Sequence, residues 1–362
     1  MFDLSVFLES YWFYGLLAFV PIVLWLVAFK DNLPKQKSYL LLTFVAGMIS
    51  VLPIKLYEKY WDSGVGYLTH TNLFRYLSDV LELGSLSAFL AYSLATLIVL
   101  FGIFVFVAIV MGTLEIFTGD NSVRVFKRKL GKVIEAPFVF VVVGVLCGLV
   151  AFGSSLSLHE KVWLFMLVGI LEEFTKHLVL RFSDEEKIHS VGEAIQFSVV
   201  VALGFAFVEN IQYFSNMGSM SLLSGPEFMM LVVLRSLVSV GAHVSFSAIL
   251  GYFYGVSKFA SEIYQQEVLL HRHPVIEKLH QFLHLKGAVL FHEQKMMEGV
   301  ILAMVLHGIY NSLLEFGYVA IALPMVGAML LIVTFLLHQK SLLQQSGNLV
   351  KRRFENVVAP QV

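Results

Sequence analysis

The segment LEEFTKHLVL, residues 171–180, sets two adjacent glutamates, a lysine and a histidine inside an apolar run that extends from Val162 to Leu180. A hydrocarbon core about 30 Å thick takes roughly 20 residues of helix, so the run is long enough to cross a bilayer. Charges at that depth cost at least ~2.5–3.5 kcal/mol each on insertion scales. Glu172, Glu173 and Lys176 therefore need partners, a water-filled cavity or a task. Lys176 is i+4 from Glu172 and i+3 from Glu173 and can reach either on one helical face. A neutralised Glu–Lys pair accounts for one carboxylate and leaves a second beside it, and adjacent carboxylates repel. His177, nearer the inner end of the run, reads as an interfacial or internally satisfied histidine.

The rest of the chain places this run among others like it. Of 362 residues, 58% are hydrophobic and 14% charged, with a mean hydropathy of +0.79. A soluble domain could not bury that much apolar surface, so the class is an all-α polytopic membrane bundle. A net charge of −1 gives no field for nucleic acid. The single cysteine, Cys147, excludes an intrachain disulfide. The first ten residues hold Asp3 and Glu9 and no basic residue, which does not read as a secretory signal peptide.

Nine spans are predicted, at 12–29, 38–55, 85–112, 137–157, 161–180, 194–214, 228–256, 299–317 and 320–338. The very short gap between the last two predicts a hairpin. With the N-terminus outside, the inner segments 30–37, 115–136, 181–193, 257–298 and 339–362 hold 19 of the 25 Lys and Arg. Four lie in outer segments, and Lys176 and Arg235 lie within spans. That asymmetry predicts an N-out, C-in orientation. Intramembrane charge concentrates in spans 5–8. Residues 1–130 (spans 1–3) therefore read as a region of unknown role, 131–338 (spans 4–9) as the charged core, and 339–362 as a polar basic tail. RVFKRKLGK (124–132) reads as a positive-inside loop against headgroups.

Polar residues recur at depth in four consecutive spans. Span 6, ALGFAFVENIQYF (202–214), carries Glu209 and Asn210. Span 7, RSLVSVGAHVSFSAILGYFYG (235–255), places His243, Ser247 and Gly251 on one stripe, so that His243 faces a neighbouring helix. Arg235, nearer the outer surface, is expected to snorkel or to pair with an acid. Span 8, LAMVLHGIYNSLLEF (302–316), puts His307 and Asn311 at i and i+4, with Glu315 continuing that face. Each has a bland account as a helix-packing or interfacial residue. Their conjunction, carboxylates from two spans and histidines from two others, is the donor set of Zn²⁺ with water activation by a nearby carboxylate. Metal-assisted hydrolysis is the leading reading. The alternative is a proton-coupled transporter, because intramembrane Glu and His also relay protons; no internal repeat supports it. A non-catalytic descendant that only binds membrane partners is a third reading.

In this order, EEFTK (172–176), FAFVEN (205–210), HVSFSAILG (243–251) and HGIYN (307–311) resemble the motif series of the PrsW-type intramembrane proteases. These belong to the superfamily of CAAX-prenyl and bacteriocin-processing membrane proteases. The match covers roughly 160–315. The resemblance implies a metallo-endopeptidase that cuts a membrane-anchored protein or peptide within the lipid bilayer, in a bacterial cytoplasmic (inner) membrane and with no nucleic-acid partner. It implies Glu172 as general base, Glu173 as a second acid or metal ligand, and Lys176 as the residue that orients or neutralises the pair. His243 and His307 would be metal ligands, for Zn²⁺, Glu209 a further ligand or part of the water-activating group, and Asn311 would hold a ligand or the developing oxyanion. Asn311 stands where some relatives have aspartate.

The inner segment 257–298 is histidine-rich, with His271, His273, His280, His284 and His292. IEKLHQFLHL (276–285) fits an amphipathic helix lying on the membrane, a reading preferred here over a second metal site at His280 and His284.

Overall fold

The computed structural model describes residues 11–29, 37–54, 85–116, 125, 137–155, 160–183, 188–219, 226–261, 263–264 and 287–337. The basic loop 124–132 apart from Val125, the histidines at 271, 273, 280 and 284, the expected surface helix 276–285 and the tail 339–362 lie outside them.

The described elements are helices: α1 (Tyr11–Ala28), α2 (Lys37–Ile49), α3 (Ser85–Ile116), α4 (Pro137–Ser155), α5 (Glu160–Ser183), α6 (Val191–Ser219) and α7 (Pro226–Leu234). A π-helical turn (Arg235–Ser239) leads from α7 into α8 (Val240–Lys258), followed by α9 (Gly287–Glu315) and α10 (Val319–Leu337). Helix is what apolar sequence adopts in lipid, because each backbone N–H and C=O is satisfied within the segment. Each predicted span overlaps a described helix, and the second, expected to run to 55, has its helix end at Ile49. Five helical segments, Tyr11–Ala28, Val191–Asn216, Phe228–Lys258, Gly287–Glu315 and Val319–Leu337, are long and apolar enough to cross a membrane by themselves. The helix α5 is not among them: Glu172, Glu173 and Lys176 interrupt it.

A second boundary differs from expectation. Residues 287–298, read as part of the inner segment, continue α9 back to Gly287. Hydropathy reports depth in the bilayer and is silent on where a helix that runs on into polar sequence stops. Span 7, expected at 228–256, contains a π-turn, across which the Val240 N–H donates to the Arg235 carbonyl.

The helix α6 is the hub, packing against α8, α2, α1 and α5, while α9 lies across α8 and α5. The small-residue stripe of α8 permits this. At Gly251 an added Cβ would come within 2.9 Å of Ala194, Ile195 and Ser198 of α6, and the Ser198 hydroxyl donates to the Ser247 carbonyl. Around this centre α1, α3, α4 and α10 turn Leu24, Ile98, Phe101, Val141, Leu331 and Phe335 outward, as expected of lipid-facing surface.

Candidate active site

Four elements meet at one buried cluster. The helix α5 supplies Glu172, Glu173 and Lys176, α6 supplies Glu209 and Asn210, α8 supplies His243, and α9 supplies His307; all are buried. Glycines bring α5 and α9 close enough. A Cβ on Gly169 would stand 2.8 Å from the Gly308 nitrogen, and one on Gly308 would meet Met166. His307, next to Gly308, therefore reaches the glutamates one turn along α5.

Lys176 resolves its choice in favour of Glu173: Nζ donates to Glu173 Oε1 at 2.7 Å. The same oxygen meets His307 Nδ1 at 2.8 Å. Lys176 Nζ also lies 3.0 Å from His243 Nδ1 and 4.5 Å from the centre of the Phe205 ring. On its other nitrogen, His243 Nε2 lies 2.8 Å from Glu209 Oε2. An ammonium only donates and a carboxylate only accepts, so Nδ1 of His243 accepts and Nε2–H donates to Glu209. Glu209 Oε2 also accepts from Arg235 Nη2 at 2.9 Å, and Asn210 Oδ1 accepts from Arg235 Nε at 2.9 Å.

The third carboxylate approaches His307 from the other side, with Glu172 Oε2 3.3 Å from Nε2. By the same reasoning His307 donates through Nδ1 to Glu173, so Nε2 turns towards Glu172. Unless a proton or a cation lies between them, two lone-pair groups face each other in a buried space. Three ionised carboxylates against Lys176 and Arg235 also leave the cluster one negative charge when both histidines are neutral. Glu172, His243 and His307 offer three donor atoms within 4.8 Å of one another. Tetrahedral ligands of one Zn²⁺ at 2.0–2.1 Å stand roughly 3.4 Å apart, and carboxylate oxygen with imidazole nitrogen is its usual donor set. The residues present fit a zinc-like cation at Glu172 and His307 Nε2; His243 Nδ1 would join them by giving up its hydrogen bond from Lys176.

A cavity of about 510 Å³ leads to this cluster between α6, α7, α9 and α10. Glu172, Glu209, Arg235 and His243 lie on its wall, together with Asn311 and Glu315. Glu173 and Lys176 lie behind that wall. Of the residues singled out in sequence, Glu172, Glu173, Lys176, Glu209, His243 and His307 come together, and Asn311 stands on the same cavity. Glu209, expected among the ligands, sits on the nitrogen of His243 opposite Lys176; Glu172 groups with the two histidines in its place. Arg235 pairs with an acid, as one of its two expected behaviours.

His177 departs from expectation. It is buried against Tyr254, and neither ring nitrogen has a hydrogen-bond partner among the described residues. The aromatic frame went unnoticed in sequence: Phe246 stacks on His307 at 4.7 Å, and Tyr213 carries the Arg235 guanidinium at 3.9 Å. Its signal was spacing, since Phe205 and Tyr213 flank Glu209 at i−4 and i+4 and Phe246 follows His243 at i+3.

Comparison with known proteins bears on the family of the chain. The family described as PrsW family intramembrane metalloprotease matches residues 91–338, more than half of the chain. Protease PrsW of Geobacillus kaustophilus is 36% identical over 98 residues, which are 26% of this chain and 39% of that protein. Protease PrsW of Clostridioides difficile is 34% identical over 98 residues, 26% and 38% of the two chains. Protease PrsW of Oceanobacillus iheyensis is 24% identical over 207 residues, 56% and 74% of the two. The chain thus matches about two fifths of the length of the first two relatives. No solved structure matches.

Proposed function

The chain belongs to the PrsW family of intramembrane metalloproteases, and from that premise we propose that it hydrolyses a peptide bond of a membrane-anchored protein or peptide at the foot of the cavity. The observation that carries this reading is the approach of Glu172 Oε2 to His307 Nε2 at 3.3 Å in a buried space, a separation suited to two ligands of one ion. His243 and His307 would hold a divalent cation, Zn²⁺ by its donor set, with Glu172 beside it as a carboxylate that either ligates the ion or serves the water bound to it. When bound, such an ion polarises a carbonyl and makes a water molecule acidic near neutral pH.

The residues of the chain supply the rest. Glu172 is the member of the adjacent pair that lines the cavity, so we assign to it the proton of the attacking water. The water oxygen bonds to the scissile carbonyl carbon, the C–N bond breaks, and the proton passes from Glu172 to the departing amine. Glu173 orients His307, and Lys176 keeps Glu173 charged by donating to it. Asn311, on the same wall, donates its amide N–H to the carbonyl oxygen as negative charge develops there. Glu209 orients His243 from its far nitrogen, an arrangement common behind metal-binding histidines. From the distribution of Lys and Arg we infer that the cavity mouth opens on the outer face of a bacterial cytoplasmic membrane, the end at which α6 and α9 finish.

The test has two readouts in cells and detergent extracts expressing the wild type, Glu172→Gln or His307→Ala. New N-termini among membrane proteins report cleavage, and elemental analysis of the purified chain reports metal. Cleavage in the wild type alone, with about one zinc per chain lost in His307→Ala, is expected. Zinc retained in Glu172→Gln assigns that residue to proton transfer; zinc lost makes it a ligand. Unchanged cleavage in both variants overturns the proposal.

A further inference from the structure

The π-turn at Arg235–Ser239 lies in the middle of a stretch whose sequence is helical throughout. Single π-turns frequently mark functional sites. Relative to an α-helix, one inserted residue rotates what precedes it by about 100°. Here it decides where Arg235 points.

Three contacts give the guanidinium one orientation. Nη2 donates to Glu209 Oε2 at 2.9 Å, Nε donates to Asn210 Oδ1 at 2.9 Å, and the group lies 3.9 Å from the centre of the Tyr213 ring. A planar fork can hold two neighbouring acceptors and stack on an aromatic face at once; an ammonium cannot. The Glu209 oxygen that Arg235 holds is the one that receives His243 Nε2. Arg235 therefore reaches His243 through Glu209.

The turn is itself held from outside the family-matched segment. Trp25 of α1 donates its indole N–H to the Ser236 carbonyl, within the turn, at 3.0 Å. Its ring lies over Gly241, where a Cβ would come within 2.9 Å of it. A larger residue at 241 would push α1 off the turn.

We propose that Arg235 is a positioning residue that fixes the ring orientation of His243 through Glu209, and that Trp25 of α1 sets the π-turn that places it. This rests on the reading that His243 belongs to the hydrolytic centre. Residues 1–130 thereby gain a task in part: their first helix braces a turn on which the site depends.

The test uses the full chain in detergent, labelled with ¹⁵N-histidine, as wild type, Arg235→Gln, Arg235→Lys, Trp25→Phe and His243→Ala. The resonance missing from His243→Ala identifies His243. In the wild type its ¹⁵N shifts are expected to report an Nε2–H tautomer. In Arg235→Gln the tautomer, which Lys176 also holds, is expected to stay and the Nε2 shift to move as its hydrogen bond to Glu209 loosens, with Zn²⁺ affinity, titrated with the metal alone, lowered roughly 10–100-fold. Arg235→Lys should fall between, and Trp25→Phe should move both quantities in the same direction by less. The metal-free melting temperature should fall only modestly in Arg235→Gln, Arg235→Lys and Trp25→Phe, and in a further variant, Arg235→Ala, free guanidinium ion should restore the wild-type ¹⁵N shifts. A wild-type His243 spectrum in Arg235→Gln overturns the role of Arg235, and one in Trp25→Phe overturns that of Trp25. If His243→Ala instead binds Zn²⁺ as tightly as the wild type, the metal reading fails, and the ¹⁵N shifts of His243 still decide the role of Arg235.

Discussion

Glu173 and Glu209 are held alike at two sides of the same cluster. Each gives one oxygen to a cation and a histidine: Glu173 to Lys176 and His307, Glu209 to Arg235 and His243. The cations differ in kind and in surroundings. The Lys176 side chain is 1% exposed, and its ammonium is shared with His243. The Arg235 side chain is 11% exposed and lies on the cavity wall. A compact charge with three donors suits a dry junction where neutralisation is the need; a rigid fork suits a wall where orientation is the need. The first arm keeps the carboxylates inside the protein, and the second aims a ring at the cavity.

That contrast can be broken most directly at Lys176. Lys176→Met leaves Glu173 charged and buried, a loss of about 3–5 kcal/mol that thermal denaturation in detergent should read as a large drop. Arg235→Gln should cost less, because the cavity admits water to Glu209; the reverse order would end the distinction. Adding Glu173→Gln to Lys176→Met should recover part of the loss, with a coupling of roughly 0.5–3 kcal/mol. No recovery would mean that the pair is not coupled as its geometry implies.

Metal removal comes next. At zinc one hundred times above its dissociation constant, the wild type should gain about 2.7 kcal/mol of stability that chelation abolishes. His307→Ala should show no such gain, and an equal response in both would place the ion elsewhere. Gly169→Ala forces α5 away from α9 at the point where His307 meets both glutamates, at roughly 1–3 kcal/mol for overpacking. Cleavage should fall further than that loss of stability explains, and a fully active Gly169→Ala would show that the separation of the two helices is not critical. Trp25→Phe should have the smallest effect on stability, about 1 kcal/mol for one hydrogen bond, seen as a small shift in melting temperature.

Much of the cluster was legible because the bilayer makes polar residues conspicuous. Glu172, Glu173, Lys176, Glu209, His243 and His307 stand out against apolar runs, and an acid or histidine at that depth needs a reason. The stripe of Ser247 and Gly251 foretold close packing of α8, which occurs against α6. His177 was misread as interfacial or satisfied because position along a run gives depth and says nothing of what a neighbouring helix offers. Arg235 was expected to snorkel or to pair with an acid, and which acid, and the aim of the guanidinium, were not legible. Nothing in RSLVS distinguishes a π-turn from an α-turn, since both suit the same residues.

By itself, the amino-acid order determined that this chain is a helical membrane bundle and which ionisable groups lie at depth, because hydrophobicity and helical period are local properties. Only the tertiary structure decided that Lys176 takes Glu173 and not Glu172, that Glu172 and not Glu209 groups with the two histidines, and that Trp25 braces the turn beside them. Those choices depend on how close Gly169 lets α9 approach α5 and on the rotation that the π-turn imparts, and both arise between helices distant in the chain.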